Sequence, residues 1–291
     1  MTTKEILKKV RQIEIRTKGL VNQVFGGEYH SVFKGRGMEF SEVREYQLGD
    51  DIRNIDWNVT ARLGHPYIKI FEEERELTVI LLVDLSGSQY FGTGLATKQQ
   101  IAAEISAILS FSALKNNDKV GLILFTDKIE KFVPPKKSKS HILRIIRELL
   151  SFEPTGKGTS IKTALEFMNK AIKKRSILFL ISDFNDKDYE KILRIVGRKH
   201  DLVGINLVDK REVTIPSIGL VRLIDPETGK EVLLDTSSKS FQTLYKKRRD
   251  EFEGRRKSVF ISSRLDSVHI NTNEPYIKSL VNFFRMRERR W

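Results

Sequence analysis

Cysteine is absent from all 291 residues, which excludes disulfides, thiolate-bound metal and a cysteine nucleophile. Histidine is scarce. The five histidines, at 30, 65, 141, 200 and 269, fall in separate segments, so a zinc site is not expected. No apolar stretch approaches the roughly 18–20 residues of a membrane-spanning helix. The opening MTTKEILKKVRQIEIRTKG lacks the apolar h-region of a secretory signal. A cytoplasmic protein without a membrane span is the expectation. Several motifs are missing as well. Without a P-loop the chain is not itself an ATPase. Without G-x-S-x-G and a histidine partner it is not a serine hydrolase. Without a helix-turn-helix, zinc-finger or aromatic RNA-binding signature, a dedicated nucleic-acid domain is not expected.

Positive charge is abundant. Lys and Arg number 52 against 38 Asp and Glu, a net charge of +14, which suits an anionic partner. The basic residues cluster at KKSK (136–139), KKR (173–175), KKRR (246–249), GRRK (254–257) and RMRERR (285–290). Exposed helix faces that keep the protein soluble are the simpler reading. A basic docking surface for an acidic partner is the sharper one.

Apolar periodicity predicts an α/β fold. TVILLVD (78–84), KVGLILFT (119–126), SILFLIS (176–182) and LVGINLVD (202–209) are short continuous apolar runs, the mark of strands buried on both faces. Helical patterns fall between them, at about 96–116, 140–151, 159–174 and 187–199, so the sheet should be mostly parallel. IEKFVPP (129–135) ends in prolines and suits a sheet edge. GLVRLIDPETGKEVLLDT (219–236) reads as a hairpin turning at Asp225-Pro226-Glu227-Thr228-Gly229. A long helix over about 238–262, a short strand near 267–270 and a last helix over 274–288 complete the chain. Towards the N-terminus, 4–18 reads as a helix and 67–76 begins as a strand. Residues 20–66 read as an irregular segment with a few strands.

Ligands of open α/β sheets sit beyond the carboxyl ends of the parallel strands. Three features fall there: Asp84-Leu85-Ser86-Gly87-Ser88, the loop Gly158-Thr159-Ser160, and Asp183. They supply carboxylate and hydroxyl oxygens, the donors a hard cation such as Mg²⁺ takes while keeping several waters. An extended DLSGS segment would point residues 84, 86 and 88 the same way. Each piece has a simpler reading. Ser88 could cap a helix, Thr159 looks like an N-cap, and Asp183 could cap a helix or close a turn with Asn185 and Asp186. Their joint occurrence at strand ends favours the metal site.

The order strand–DxSxS, GTSIKTAL, strand–Asp resembles a von Willebrand factor type A domain with its metal-ion-dependent adhesion site (MIDAS). That resemblance implies Asp84, Ser86, Ser88, Thr159 and Asp183 as ligands of Mg²⁺, with Mn²⁺ or Ca²⁺ as alternatives. It also implies an open coordination position filled by a carboxylate from a protein partner. Relatives often carry methionine after DxSxS, where this chain has Gln89. The likeness covers about 78–210 and extends more loosely to 288. GRGMEFSEVREYQLGDDIRNIDWNVTAR (35–62), leading through YIKIFEEERE into the DxSxS strand, is similar to the domain-of-unknown-function family numbered 58. Members are often encoded beside MoxR-type AAA+ ATPases, which implies an adaptor or co-chaperone in metal-cofactor insertion, complex assembly or stress response. The expected organisation is a family-specific extension over 1–77 and a type A-like domain over 78–291, with a hairpin inserted at about 211–236.

The acidic run Gly49-Asp50-Asp51-Ile52-Arg53-Asn54-Ile55-Asp56-Trp57 admits a second metal or an acid–base pair. No nucleophile or base histidine is suitably spaced, so the favoured reading is a charge-paired turn. In it Asp50, Asp51 and Asp56 would meet Arg44, Arg53 or Arg62, and Trp57 would anchor the segment. Two enzyme readings compete with a binding module. A phosphatase of the haloacid dehalogenase type needs a second aspartate where Ser86 stands, and a serine cannot act as acid and base at neutral pH. A metal-dependent phosphodiesterase holding nucleic acid on the basic surface would need one more carboxylate near the ion. The leading expectation is a non-enzymatic, metal-dependent protein-binding module.

Overall fold

The computed structural model describes residues 3–21, 38–73, 76–93, 96–224, 227 and 229–290. Helix α1 (Thr3–Leu20) comes first. Strands β1 (Met38–Glu45) and β2 (Tyr67–Glu73) pair antiparallel, with a short helix α2 (Trp57–Leu63) between them in sequence. The remaining elements alternate: β3 (Thr78–Asp84), α3 (Lys98–Lys115), β4 (Lys119–Phe125), β5 (Ile129–Lys136), α4 (Lys139–Ser151), α5 (Ile161–Ala171), β6 (Ile177–Ser182), α6 (Glu190–Lys199) and β7 (Asp201–Val208). Helix α7 (Lys210–Val213) and strands β8 (Leu220–Ile224) and β9 (Glu231–Asp235) follow, then α8 (Lys239–Ser262), β10 (Asp266–Asn271) and α9 (Tyr276–Glu288).

The expected mostly parallel sheet is present. Its order is β10-β7-β6-β3-β4-β5, and β5 alone runs antiparallel, at the edge. Edge placement suits Pro134 and Pro135, which have no N–H to donate to a further strand. Every residue of β3 from Val79 to Asp84 is buried. Val79, Leu81 and Val83 face a core built with α3, α4 and α9. Ile80 and Leu82 face a second core with α5 and α6, closed by Phe260 of α8. Residues alternating along a strand lie on opposite faces, so a doubly covered strand must be apolar throughout. Val10 and Ile13 of α1 join the first core, so the N-terminal helix packs with the α/β frame.

Residues 38–66 hold more order than their sequence predicts, while 22–37 of the expected irregular segment lie outside the described residues. Asp50 receives two bonds from the Arg44 guanidinium, at 2.7 and 2.8 Å. Asp51 caps a single 3₁₀ turn (Ile52–Asn54). Asp56 caps α2, accepting from Asn58 and Val59, and lies 3.5 Å from Lys69. The charge-paired turn is therefore present for Asp50 with Arg44 and, at 4.0 Å, for Asp51 with Arg53, while Asp51 and Asp56 also act as caps, a role open to a short carboxylate facing free N–H groups. Trp57 does not anchor the segment: it is 70% exposed. As the first residue of α2, it points outward.

Chain direction sets the functional end of the sheet. After β3 the chain adds β4 and β5 on one side, then crosses back to place β6 on the other. The carboxyl ends of β3 and β6 therefore flank a topological switch point, where two loops diverge and leave a crevice.

Candidate functional site

Asp84 ends β3 and is fully buried. Its Oδ1 accepts from the Ser86 backbone N–H at 2.8 Å, and its Oδ2 accepts from the Ser182 hydroxyl at 2.7 Å. Ser182 is the last residue of β6, so this bond ties the two strands across the switch point. Burial first, and then the charge of Asp183, push the Asp84 carboxyl up to about 7, against the bonds from Ser182 and Ser86. The site thus stabilises positive charge and disfavours a second negative one.

The segment after Asp84 is not extended, contrary to expectation. Leu85 donates its N–H to the Phe125 carbonyl at 2.8 Å, and from Gly87 to Tyr90 the chain winds into a 3₁₀ turn. The serine hydroxyls still converge, with Ser86 Oγ and Ser88 Oγ 3.1 Å apart. Neither caps a helix through its side chain: Ser86 precedes the 3₁₀ turn without a side-chain bond to the turn's backbone N–H groups, and Ser88 lies within it.

Loop 152–160 brings Thr159 to the same end of the sheet. Gly87 donates its N–H to the Lys157 carbonyl at 3.0 Å, and Ser160 donates to the Thr126 carbonyl at 2.9 Å. The N-cap of α5 is Ser160, whose hydroxyl accepts from Thr163 N–H at 3.2 Å. Thr159 is therefore released from the capping role its sequence invites. Its hydroxyl donates instead to Glu227 Oε1 at 2.9 Å. Glu130 fastens the loop, accepting from Gly156 N–H at 2.7 Å, Thr126 Oγ1 at 2.8 Å and Thr155. Burial opposes its charge, but these bonds hold its carboxyl below the usual range. Gly156 is required here because a Cβ would stand 2.1 Å from both Asp127 Oδ1 and Thr126 Oγ1. Glu130→Ala should cost about 1–3 kcal/mol by orphaning these donors. It should also speed amide exchange over 155–160, as hydrogen-exchange mass spectrometry would show.

Asp183, just after β6, is buried and closes a turn through Asn185 N–H at 3.2 Å, as one of its simpler readings anticipates. Asp186 does not share that turn: it accepts from Ile161 N–H at 2.7 Å and so helps cap α5. The other Asp183 oxygen meets Lys98 Nζ at 3.0 Å. Lys98 opens α3, is fully buried, and also bonds Glu212 of α7. Burial works against its charge, yet Asp183 and Glu212 prevail and raise its pKa. Glu212 in turn accepts from Asp209 N–H at 3.1 Å, and buried Asp209 binds the hydroxyls of Thr93 at 2.6 Å and Thr272 at 2.7 Å. A polar network thus continues past the site along the carboxyl ends of β7 and β10.

Sequence reasoning missed Lys98, Ser182, Glu212 and Glu227. Lys98 carried a signal, since it shares the helical stripe of Ile101 and Ile105. Ser182 carried a weaker one, as the hydroxyl closing an apolar strand. Glu227 carried none beyond its place in a turn.

The donor set fits a hard divalent cation. Two carboxylates and the hydroxyls of Ser86, Ser88 and Thr159 offer oxygen only, and Asp84 retains a second lone pair on each oxygen. Among the described residues no three His, Asp or Glu side chains converge as a self-sufficient metal cluster, so any ion here would rely on the hydroxyls and water. Lys98 occupies one Asp183 oxygen, which leaves Asp183 to reach an ion through its other oxygen or through water.

The chain is similar to uncharacterized proteins and to several solved structures. The uncharacterized protein Mb1516 of Mycobacterium bovis is 30% identical over 223 residues, 76% of this chain and 70% of that protein. Among solved structures, the conserved hypothetical protein BatB from Bacteroides thetaiotaomicron has a TM-score of 0.48 at 15% identity, covering 73% of this chain and 99% of that one. The SpRpn10 VWA domain has a TM-score of 0.41 at 13% identity, covering 71% of this chain and 94% of that one. The family model described as protein of unknown function DUF58 matches residues 42–254, and the chain belongs to that family.

Proposed function

We propose that this protein is a Mg²⁺-dependent protein-binding module, with Asp84, Ser86, Ser88, Thr159 and Asp183 holding the ion, and Mn²⁺ or Ca²⁺ as alternative occupants. One observation carries the reading. Asp84 and Asp183 stand at the switch point with the paired hydroxyls of Ser86 and Ser88, and Asp84 resists ionising in the absence of a nearby cation of its own. A bound dication would offer a coordination position to a carboxylate of the partner. The protein's own groups do the rest. Ser182 orients Asp84, Lys98 orients Asp183, and Glu130 fixes the loop of Thr159.

The wider role rests on the family resemblance: an adaptor or co-chaperone for a MoxR-type AAA+ ATPase, acting in complex assembly or maturation. Among the described residues no helix is long and apolar enough to cross a membrane, and work in the cytoplasm is part of the proposal. The basic helix faces favour an acidic partner surface.

Calorimetric titration of Mg²⁺ tests the site. Asp84→Ala should weaken binding by at least about tenfold through loss of a charged ligand, with circular dichroism unchanged. Thr159→Ala should weaken it less. Unchanged Mg²⁺ affinity in both variants would sink the reading. A phosphodiesterase would need one more carboxylate at the ion, and Glu227 reaches Thr159, so the same variants should be assayed on single-stranded DNA. Mg²⁺-dependent cleavage lost in Asp84→Ala would replace the binding module with a hydrolase.

A further inference from the structure

The hairpin of β8 and β9 is a two-stranded sheet separate from the central one. Its base is pinned. Thr236, fully buried, donates N–H and hydroxyl to the Gly219 carbonyl at 2.9 and 2.8 Å and accepts from Ile218 N–H. Gln242 of α8 donates to the carbonyls of Ile215 and Thr236. Beyond the base, little packing holds it: Leu220 is 71% exposed and Leu233 67%, and both strands are mostly exposed. A two-stranded ribbon without a packed face is marginal in water. Yet at its far end Glu227 meets Thr159, 68 residues away in sequence, on the loop that borders Asp84–Ser88.

We infer that Glu227 is a sixth residue of the site: an internal carboxylate, carried on the hairpin, that takes the position a partner's carboxylate would take. The inference rests on the proposed metal site. Three features on different elements agree. Thr159 is spared from capping α5, because Ser160 does that work. The hairpin is pinned at its base, its two strands are mostly exposed, and Glu227 beyond them meets the Thr159 loop. Glu227 also brings a further carboxylate to an end of the sheet where the buried lysine is already shared between Asp183 and Glu212. A cation held by the hydroxyl side of the site, where Glu227 meets Thr159, would offset that charge, and withdrawal of Glu227 would free the Thr159 hydroxyl and the place its carboxylate takes. Capture of an acidic protein segment would then be an exchange of one carboxylate for another. A partner would have to outcompete a tethered group, whose effective concentration is high.

The experiment uses the full chain and Mn²⁺, read by water-proton relaxation, which counts waters on the bound ion. Glu227→Ala should raise the relaxation enhancement, as water replaces the lost carboxylate, and weaken Mn²⁺ binding roughly threefold to tenfold. Acetate should reverse the extra relaxation in Glu227→Ala and leave the parent unaffected. The cysteine-free chain also allows spin labels at Leu233→Cys and Lys157→Cys. Their distance distribution should be narrow in the parent and broad with Glu227→Ala. If Mn²⁺ binding requires Asp84 but Glu227→Ala changes neither relaxation nor distances, this inference is overturned and the metal site stands. If the parent and Asp84→Ala bind Mn²⁺ alike, the metal site falls and this inference with it.

Discussion

Replacing Lys98 by methionine should lower the free energy of unfolding by roughly 3–5 kcal/mol, the cost of stripping the partner from a buried charge. Methionine preserves most of the side chain's volume and removes only the ammonium, so packing contributes little to the loss. What remains is Asp183, buried, and Glu212, both built around a cation that is gone. At this chain length the loss corresponds to a fall in Tm of about 5–8 °C. Lys98→Arg should recover only part of it, because a planar guanidinium needs more room than a fully enclosed ammonium site provides. Two further measurements separate charge from shape. Adding Glu212→Gln to Lys98→Met should restore part of the stability, since one unpaired carboxylate is then neutral, and the coupling between the two changes should appear in a double-mutant cycle. Mg²⁺ should stabilise Lys98→Met more than it stabilises the parent, because a dication beside Asp183 would replace the missing charge. A loss below about 1 kcal/mol in urea or guanidinium unfolding would show that Asp183 and Glu212 do not depend on Lys98.

The same lysine shows where sequence reading ends. Asp84 and Asp183 were legible because continuous apolar runs stop at them, and burial of both sheet faces makes such a stop easy to read. Thr159 was legible only by type. Glycine, threonine and serine stand side by side at 158–160, and either hydroxyl could cap α5; the structure gives the cap to Ser160 and leaves Thr159 to the site. Lys98 was hidden by a general truth, that lysines on helices are solvated, although its stripe pointed inward. Ser86 and Ser88 were assigned to one side by the period of an extended strand, and they converge through a tight turn instead. Glu227 could not be found from spacing, since its contact depends on how a hairpin folds back over a loop far away in the chain. The N-terminal part was the least legible. In α2 the apolar Trp57 and Leu63 stay exposed, so periodicity says little, and the asparagine- and aspartate-rich turns that organise the segment work through caps and the ion pairs of Asp50 with Arg44, Asp51 with Arg53 and Asp56 with Lys69. These features sit at different levels of folding. Burial pattern is written in the local sequence, whereas pairing between distant polar groups is decided by topology.

Acid should destabilise the protein through His200, by about 2 kcal/mol between neutral pH and pH 4 after allowance for the charged rim of its pocket. His200 follows α6 and is buried, and neither ring nitrogen has a hydrogen-bond partner among the described residues. Burial first, and then the charges of Lys199 and Arg175, depress its pKa from 6.5 to about 4. Arg264, Arg287 and Arg290 line the same pocket, facing Asp201 and Asp266. Arg287 is committed to both aspartates, and Arg290 to Asp266, so little negative charge is left to welcome an imidazolium. In the unfolded chain the ring is free to take a proton near its ordinary value. Between about pH 6.5 and 4 the unfolded state therefore binds more protons than the folded one, and stability falls as the pH is lowered through that window. Asp118 acts in the opposite sense. Burial raises its pKa to about 6, so its folded form takes up a proton earlier and gains relative stability as the pH drops. Total stability alone would blur the two. The difference in unfolding free energy between the parent and His200→Leu isolates the histidine, because Asp118 is common to both. That difference should move by about 2 kcal/mol across the window, with the parent losing more at the acid end. A difference that stays constant from pH 7 to pH 4 would mean that His200 is protonated as readily in the folded chain as in the unfolded one, and that its pocket opens to water or to a carboxylate before the protein unfolds.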